Sequence, residues 1–378
     1  MTAKKPATSK STAGPKTSTK VQSGTKAKTS AKAKTGAKAK ASNKATSAVG
    51  SELRLVKEAK IQDLIGDSAG TRLEASGVLY HDDAFLIVCD NLPALIRVGS
   101  ELSPKAPENE VVRADLSKSQ GSSAKAKSKA KTKPQTEAKA KSQTEVRTQP
   151  QTEAKTANTG YEDLAHDELH DRYFTLTEAE PVKPKGFRAR VHEYDAKLRP
   201  LGSAPLDFDL ADANKGMEGL EWVDRAGTGH LLALCEGNRC EGGKKGRTPG
   251  GGRIQVFRRE GKSWTRTDTI RLPESLPFED YSSVSVRDGR IAVLSQASSA
   301  LWVGRLSAKK WEVDAGTVHP LPTDGKGRTV YGNPEGVSWV SADHVVIVSD
   351  RAKKGASNER FRAKDQSIHL FLIPGDTT

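Results

Sequence analysis

Short apolar runs of β-type residues, separated by turns, recur along most of the chain. The fullest example lies between residues 214 and 238, where a short apolar strand that opens at 217–220, a glycine-rich turn and a second strand at 231–234 follow one another. Two such runs joined by a turn predict an antiparallel hairpin. Because antiparallel pairing places the start of the first strand beside the end of the second, Glu218 and Glu236 are expected at one end of the hairpin.

The same hairpin pattern occurs five times. The first strands begin at a serine or a glutamate, namely Ser76, Glu162, Glu218, Ser282 and Glu335. The second strands end on a small residue followed by an acid or an amide, namely Asp90, Glu178, Glu236, Gln296 and Asp350. Where the first position is serine, an acid precedes it by two residues, as Glu74 and Asp280. Strand-based self-similarity at intervals of about 40–60 residues is typical of the blades of a β-propeller.

The apolar runs fit an all-β fold of five blades. Blade one takes residues 78–80, 85–88, 94–98 and 111–116, and blade two takes 164–166, 173–177, 189–194 and 206–209. Blade three takes 220–223, 231–234, 253–257 and 265–271, blade four takes 284–286, 291–294, 301–306 and 311–318, and blade five takes only 337–340, 345–348 and 367–373. Residues 53–57 are expected to supply the missing strand and close the ring, because closure removes an exposed sheet edge. The sequence leaves a six-bladed arrangement open.

Charge divides the chain into a predicted propeller, residues 51–378, and two lysine-rich segments. The net charge is +14 over 378 residues, yet residues 1–50 alone hold twelve lysines and no acid, and residues 117–158 carry a net charge of +7. The foldable remainder is therefore mildly acidic. Both segments are too polar to bury a core, so we expect a disordered N-terminal tail and a disordered loop inserted into the propeller.

The lysine-rich tail is similar in composition to the tails of linker histones and of bacterial histone-like proteins. Such segments bind nucleic acid or other polyanions by counterion release, without reading a base sequence, and the alternative is a solubilising spacer. The sequence contains no apolar run of the signal-peptide or membrane-spanning type. We therefore expect no membrane association and a cytoplasmic location.

Several motifs resemble the SdiA-regulated family of bacterial β-propellers. They are ASG with CDNLPALIRV in the first repeat, NKGMEGLEW in the third, and NPEGV with VSD in the fifth. A wider similarity extends to phytase-like and esterase-like propellers. The resemblance covers the chain outside the lysine-rich segments, and it implies a propeller whose central channel can hold calcium, without an assigned reaction. Gln296 departs from the pattern, because the other repeats have an acid there.

The repeat acids are the candidate site, because the first strand of each propeller blade lines the central channel. The candidate metal ligands are Glu162, Glu218, Glu335, Asp90, Glu178, Glu236 and Asp350. Ser76 and Ser282 complete the same ring as candidate ligand-binding residues. So many carboxylates need a positive partner, since like charges raise one another's pKa. Ca²⁺, which takes about six to eight oxygen ligands, is one such partner.

Two other interpretations of the acids stay open at this stage. Basic residues near the ring, namely Lys215, Arg239, Arg351 and Lys353, are a second source of positive charge and favour an anionic small-molecule ligand at the channel mouth. Alternatively, the acids accept backbone N–H bonds from the neighbouring blade and bind no ligand.

Two classes of function follow from these candidates. The first is a metal- or ligand-binding propeller with basic arms for polyanions. The second is a calcium-dependent hydrolase of phosphate or carboxylate esters that uses Lys215, Arg239 and Arg351 to neutralise its substrate. We favour the first class, because the sequence offers no identifiable nucleophile or general base.

The remaining candidates for chemistry are weaker. His166 and His170 stand four residues apart, but the segment between them is predicted as a turn, so they are expected to be solvated loop histidines. The glycine-rich segment 237–252 is predicted to be a flexible loop at the rim. Cys240 is close enough to Cys235 for a disulfide, but the lack of an export signal favours free thiols.

Overall fold

Strands dominate the part of the chain that can be described. The computed structural model describes residues 46–66, 73–104, 106–112, 160–183, 186–211, 215–353 and 355–375. Most of the two lysine-rich segments lies outside these ranges. Residues 46–50, which were assigned to the basic tail, are described, and two of them form a strand, so this end of the predicted tail is ordered.

Twenty strands form five four-stranded antiparallel blades, and one short strand extends a blade. The chain enters with β1 (Ala48–Val49), β2 (Arg54–Lys60) and helix α1 (Ile61–Ile65). Blade one contains β3 (Ala75–His81), β4 (Ala84–Cys89), β5 (Leu92–Gly99) and β6 (Glu110–Val112), and blade two contains β7 (Leu164–Asp167), β8 (Arg172–Pro181), β9 (Phe187–Tyr194) and β10 (Pro200–Asp207).

The second half of the chain repeats this arrangement. Blade three contains β11 (Met217–Arg225), β12 (Thr228–Cys235), β13 (Arg253–Glu260) and β14 (Ser263–Arg271), with helix α2 (Gly243–Gly246) between β12 and β13. Blade four contains β15 (Ser283–Arg287), β16 (Arg290–Ser295), β17 (Ala300–Arg305) and β18 (Thr317–Pro320), and blade five contains β19 (Pro334–Trp339), β20 (His344–Ser349) and β21 (Ser367–Leu372). The protein is therefore a five-bladed β-propeller over its described residues.

The ring closes by pairing the first part of the chain with the last. Strand β2 pairs antiparallel with β21 and so completes blade five, as predicted for residues 53–57. Strand β1 pairs in parallel with β18 at the outer edge of blade four. Blades two and three are also joined at their outer strands, where β10 pairs in parallel with β14. These pairings cover edges that would otherwise expose unpaired backbone groups.

Buried side chains form five clusters, one between each pair of neighbouring blades. This packing explains why the second strands are continuous apolar runs. Neighbouring blades cover both faces of a second strand, so its apolar and polar residues need not alternate. All six residues of β4 are buried, for example. In blades one, three and four the two-residue turn between the first and second strands has positive φ at both positions, as in Ala226 (54°) and Gly227 (75°), which matches the twist of hairpin strands.

The expectation of free thiols in the segment after β12 is wrong. Cys235 and Cys240 form a disulfide, and Cys89 alone is a buried free thiol. The segment also has regular structure, with a short 3₁₀ helix at Asn238–Cys240 in which Arg239 and Cys240 take positive φ and turn the chain back towards β12. Buried Asn238 donates to the carbonyls of Gly246 and Phe278 and so ties this segment to the propeller. Disulfides are typical of oxidising compartments, and the cytoplasmic location stays a prediction.

Candidate functional site

The starts of the five inner strands gather around the channel and bring the repeat glutamates together. Glu162 precedes β7 and is 8% exposed, while Glu218 on β11 and Glu335 on β19 are half-buried. Burial raises the pKa of each of the three carboxyl groups well above its usual value. Repulsion between the members of the ring raises the pKa values further, since Glu218 lies close enough to feel the charges of both Glu162 and Glu335.

The ends of the second strands add the remaining acids to this group. One carboxylate oxygen each from Glu178, Glu218 and Glu236 lies within 4.8 Å of the other two. Burial raises the pKa of Glu178 to about 7, with repulsion from Glu236 as a further cause, and it also raises the pKa of Glu236. Burial raises the pKa of Asp350 to about 6, and Asp90 lies near Glu162. The sequence-predicted acids are therefore brought to one mouth.

The serines of the ring form hydrogen bonds between blades. The hydroxyl of Ser76 donates to the carbonyl of Tyr161, and that of Ser282 donates to the carbonyl of Pro334 at 3.1 Å. Each bond joins one blade to the next, either just before its inner strand, at Tyr161, or at the first residue of that strand, at Pro334. Gln296, at the position of the missing acid, donates its amide to the carboxylate of Glu335.

Basic side chains stand beside the acids at this mouth. Lys215 forms an ion pair with Glu236, and Lys353 lowers the pKa of Glu335, although repulsion and burial outweigh it. Arg351 pairs with Glu74 and lies near Asp350. We did not anticipate Arg247, which lies near Glu236. Its position depends on how the segment after β12 folds back, which the sequence pattern does not reveal.

Arg239 does not join these basic residues. It is exposed, and its Nη1 donates to the carbonyl of Thr248 at 3.3 Å. Its charge acts on Arg253 and Tyr281. The backbone at Arg239 has a positive φ, and its side chain extends along the loop. Although Arg239 is only three residues from Glu236 in the sequence, it therefore does not lie among the ring acids.

Residues next to the ring acids accept interblade hydrogen bonds, which is the structural role that we considered for the ring acids themselves. Asp163, which is 1% exposed, accepts the backbone N–H of Leu220 at 3.0 Å and the hydroxyl of Ser283 at 2.9 Å. Ser283 in turn accepts the N–H of Val337 at 3.1 Å. These bonds link blades two, three, four and five around the channel.

A second layer of such bonds lies two residues further along the inner strands. Glu221 accepts the N–H of Val286 at 2.7 Å, Ser285 accepts that of Trp339 at 3.3 Å, and Ser338 accepts that of Tyr80 at 3.0 Å. In both layers, polar inner-strand side chains therefore bond other blades. Among the ring acids, Glu178 also accepts an interblade bond, from the backbone N–H of Gly216 at 3.0 Å, which joins blade two to the start of blade three. Glu162, Glu218 and Glu335 belong to neither of the two layers.

Comparisons with known proteins find only distant structural likenesses. No protein-family model and no curated protein sequence matches the chain. A glutaminyl cyclase from Myxococcus xanthus is similar over 86% of this chain and 97% of its own, at 10% identity and a TM-score of 0.46. The calcium-binding protein regucalcin from Agrobacterium tumefaciens is similar over 86% and 95%, at 7% identity and a TM-score of 0.40. A GH43_1 enzyme from Xanthomonas citri, solved with xylotriose, is similar over 83% and 88%, at 10% identity and a TM-score of 0.43. Likenesses this distant carry no information on function.

Among the helices of the described residues, we find none with the length and apolar character needed to cross a membrane.

The raised pKa values predict that the acids of the ring destabilise the metal-free protein as the pH increases. A folded-state pKa of about 7 for Glu178, against an ordinary 4.5, means that the folded protein holds a proton that the unfolded chain releases. The stability of the folded protein is therefore unreduced by Glu178 below about pH 4.5, and it falls as the pH rises through about 7. In a chelator, the wild type is therefore expected to lose roughly 2 kcal/mol of unfolding free energy between pH 5 and pH 8 relative to Glu178→Gln. Urea titrations at both pH values measure this difference, and titration of the histidines cancels between the two proteins. Equal losses would contradict the shifted pKa.

The opposite mouth of the channel opens into a cavity of about 920 Å³. The ends of the inner strands and the turns after them line this cavity, and Tyr80, Trp222 and Trp339 supply aromatic walls. His166 lies in β7 and is 8% exposed, so the expectation of a solvated loop histidine is wrong for this residue. It is right for His170, whose side chain is 58% exposed and pairs with Asp167 at 2.7 Å.

Proposed function

We propose that this propeller binds a hard divalent cation, Ca²⁺ being the best fit, at the carboxylate ring of Glu162, Glu178, Glu218, Glu236 and Glu335. The observation that carries the proposal is the convergence of Glu178, Glu218 and Glu236, whose oxygens lie within 4.8 Å of one another. Two oxygens bound to one Ca²⁺ at about 2.4 Å lie at most about 5 Å apart. The three carboxylates thus already have a spacing that one ion can bridge.

The composition of the ring supports calcium over a transition metal. Its ligands are carboxylate oxygens, which suit Ca²⁺ and Mg²⁺, and it contains neither histidine nor cysteine. The free-energy cost of holding these carboxyl groups close together in a buried place also supports the proposal. Their pKa values are raised by burial and mutual repulsion, and a bound cation would stabilise the ionised carboxylates that the folded protein otherwise disfavours.

Calcium is expected to stabilise the protein against unfolding. A ligand that binds only the folded state adds about 2.7 kcal/mol at a concentration one hundred times its Kd, so melting at pH 8 with excess calcium and with chelator should differ by several degrees. Glu218→Gln should lose most of this calcium-dependent shift, because it removes one of the three carboxylates that converge within 4.8 Å of one another. Glu312→Gln is the matched control, since Glu312 is an exposed acid paired with Lys310.

A melting temperature that is the same in calcium and in chelator would reject the metal site. A calcium shift that survives in Glu218→Gln would place the ion elsewhere. Glu218→Gln is also expected to be more stable than the wild type in chelator at pH 8, because it removes a buried, repelled carboxylate. This gain shows that the variant folds, so a lost calcium response cannot be attributed to misfolding.

A second candidate function is calcium-dependent hydrolysis of phosphate or carboxylate esters. The observation that favours it is the presence of Lys215, Arg247, Arg351 and Lys353 beside the acids, where they can neutralise an anionic group bound to the ion. A panel of aryl phosphates and aryl esters distinguishes the two functions. Calcium-dependent turnover that is lost in Glu218→Gln would make the protein an enzyme.

Two further proposals are independent of this site. Membership of the SdiA-regulated propellers rests on the sequence motifs in the first, third and fifth repeats. Binding of nucleic acid or other polyanions by residues 1–50 and 117–158 rests on their lysine content alone.

A further inference from the structure

We propose that His81, His166 and Asp171 form a second metal site, for a divalent transition-metal ion such as Zn²⁺, in the wall of the cavity at the opposite mouth. His81 ends β3 of blade one, His166 lies in β7 of blade two, and Asp171 lies in the turn that follows β7. One potential ligand atom from each residue lies within 4.8 Å of those from the other two. The site is thus assembled from two neighbouring blades.

The distances between donor atoms suit a small ion. Nε2 of His166 lies 3.1 Å from a carboxylate oxygen of Asp171. Two ligands of a tetrahedral ion with bonds of about 2.0 Å are about 3.3 Å apart, so this pair already has the required separation. The centroids of the His81 and His166 imidazole rings are 4.0 Å apart, so the two rings lie next to each other at the proposed metal position.

Only one of the two ring nitrogens of the buried His166 side chain has a hydrogen-bond partner among the described residues. Nε2 contacts Asp171, but Nδ1 is buried and has no hydrogen-bond partner among the described residues. The ring of Tyr173 lies 4.4 Å from that of His166 and fixes the imidazole by packing. Nε2, the nitrogen beside Asp171, is the atom that we assign to the ion.

The donor set determines the class of metal. Two imidazole nitrogens with one carboxylate suit Zn²⁺, Co²⁺, Ni²⁺ or Cu²⁺, whereas the all-carboxylate ring at the first mouth suits Ca²⁺. Three protein ligands also leave at least one coordination position, which is typical of catalytic rather than structural zinc sites. His81 and His166 both line the 920 Å³ cavity, so that position is accessible to water or to an oxygen ligand of a small molecule.

Titration of the full-length protein with CoCl₂ tests this site. Co²⁺ bound in four-coordinate geometry with nitrogen ligands absorbs strongly in the visible range, and we expect this signal to saturate at one equivalent. His81→Gln and His166→Gln should weaken binding by at least about tenfold, while His170→Gln, a histidine of the same turn that lies outside the cluster, should bind as the wild type does. Zn²⁺ added afterwards should abolish the signal by displacing Co²⁺.

A variant at Asp171 separates loss of metal binding from loss of folding, because this residue is exposed. Its side chain is 58% exposed, so Asp171→Asn should fold normally and still weaken Co²⁺ binding. The proposal is wrong if wild-type protein gives no such absorption, or if folded His81→Gln, His166→Gln and Asp171→Asn all bind within twofold of wild type. The carboxylate ring has no nitrogen ligand, so a histidine-dependent signal reports on this site whether or not calcium binds at the other mouth.

Discussion

A chain that begins at Ile61 is expected to lose cooperative folding. Such a chain lacks β2, which supplies the outer strand of blade five through its pairing with β21. It also lacks Leu53, which is 2% exposed and packs between blades four and five. Removing these residues leaves the backbone groups of β21 unpaired and opens the interface between two blades. We expect no sigmoidal thermal transition and a loss of the near-ultraviolet circular dichroism that reports on packed aromatic side chains.

The same truncation removes a hydrogen-bond partner of a buried histidine. His369 is fully buried on β21, and its Nδ1 lies 3.1 Å from Glu58. Bonds from His369 and Lys364 hold the pKa of Glu58 down to about 2, so its carboxylate is ionised at neutral pH. A chain that begins at residue 46 keeps β1 and β2 and is the matched control, expected to melt as the full chain does. A chain from Ile61 that melts within a few degrees of this control would refute the role of the closing strand.

Asp163→Ala is expected to have the largest effect of any single substitution discussed for this protein, destabilising it by roughly 3–5 kcal/mol. The carboxylate accepts hydrogen bonds from Leu164, Leu220 and Ser283, and the substitution leaves these donors in a buried site without an acceptor. The loss reaches beyond one blade, because Ser283 also bonds Val337. Urea denaturation should show a lower midpoint with an unchanged slope.

The neighbouring residue provides the contrast for this prediction. Glu162 is adjacent in sequence and also buried, but its carboxyl group faces the other ring acids. Glu162→Gln is therefore expected to stabilise the metal-free protein at pH 8, whereas Asp163→Ala destabilises it. A change of less than about 1 kcal/mol in Asp163→Ala would show that the interblade bonds contribute little.

The sequence was a good guide to the fold because the same hairpin occurs five times. Each copy sets the direction and length of two strands, and β2 at Arg54–Lys60 is where the missing strand of blade five was expected, with the boundary shifted by a few residues. The ring acids could be found for the same reason. Once inner strands share a direction, their first residues must meet, and Glu162, Glu218 and Glu335 do so.

Features that depend on contacts between unlike segments could not be predicted. The Cys235–Cys240 disulfide and the place of Arg239 follow from positive φ values in one irregular turn. The meeting of His81 with His166 depends on how far two neighbouring strands are shifted along the channel. Asp163 could have been recognised, because it is a charged residue at a position where three other repeats have glycine, at Gly77, Gly219 and Gly336.

The pairing of β2 with β21 also sets the order of events during synthesis. Lys364 bonds Glu58, which lies 306 positions earlier in the sequence. Strand β2 is therefore synthesised early but can pair with β21 only after nearly the whole chain has been made. Blades one to four can assemble one after another in that interval, but the circle itself forms only after translation is almost complete. Nascent chains halted before β21 should consequently remain sensitive to protease at residues 54–60.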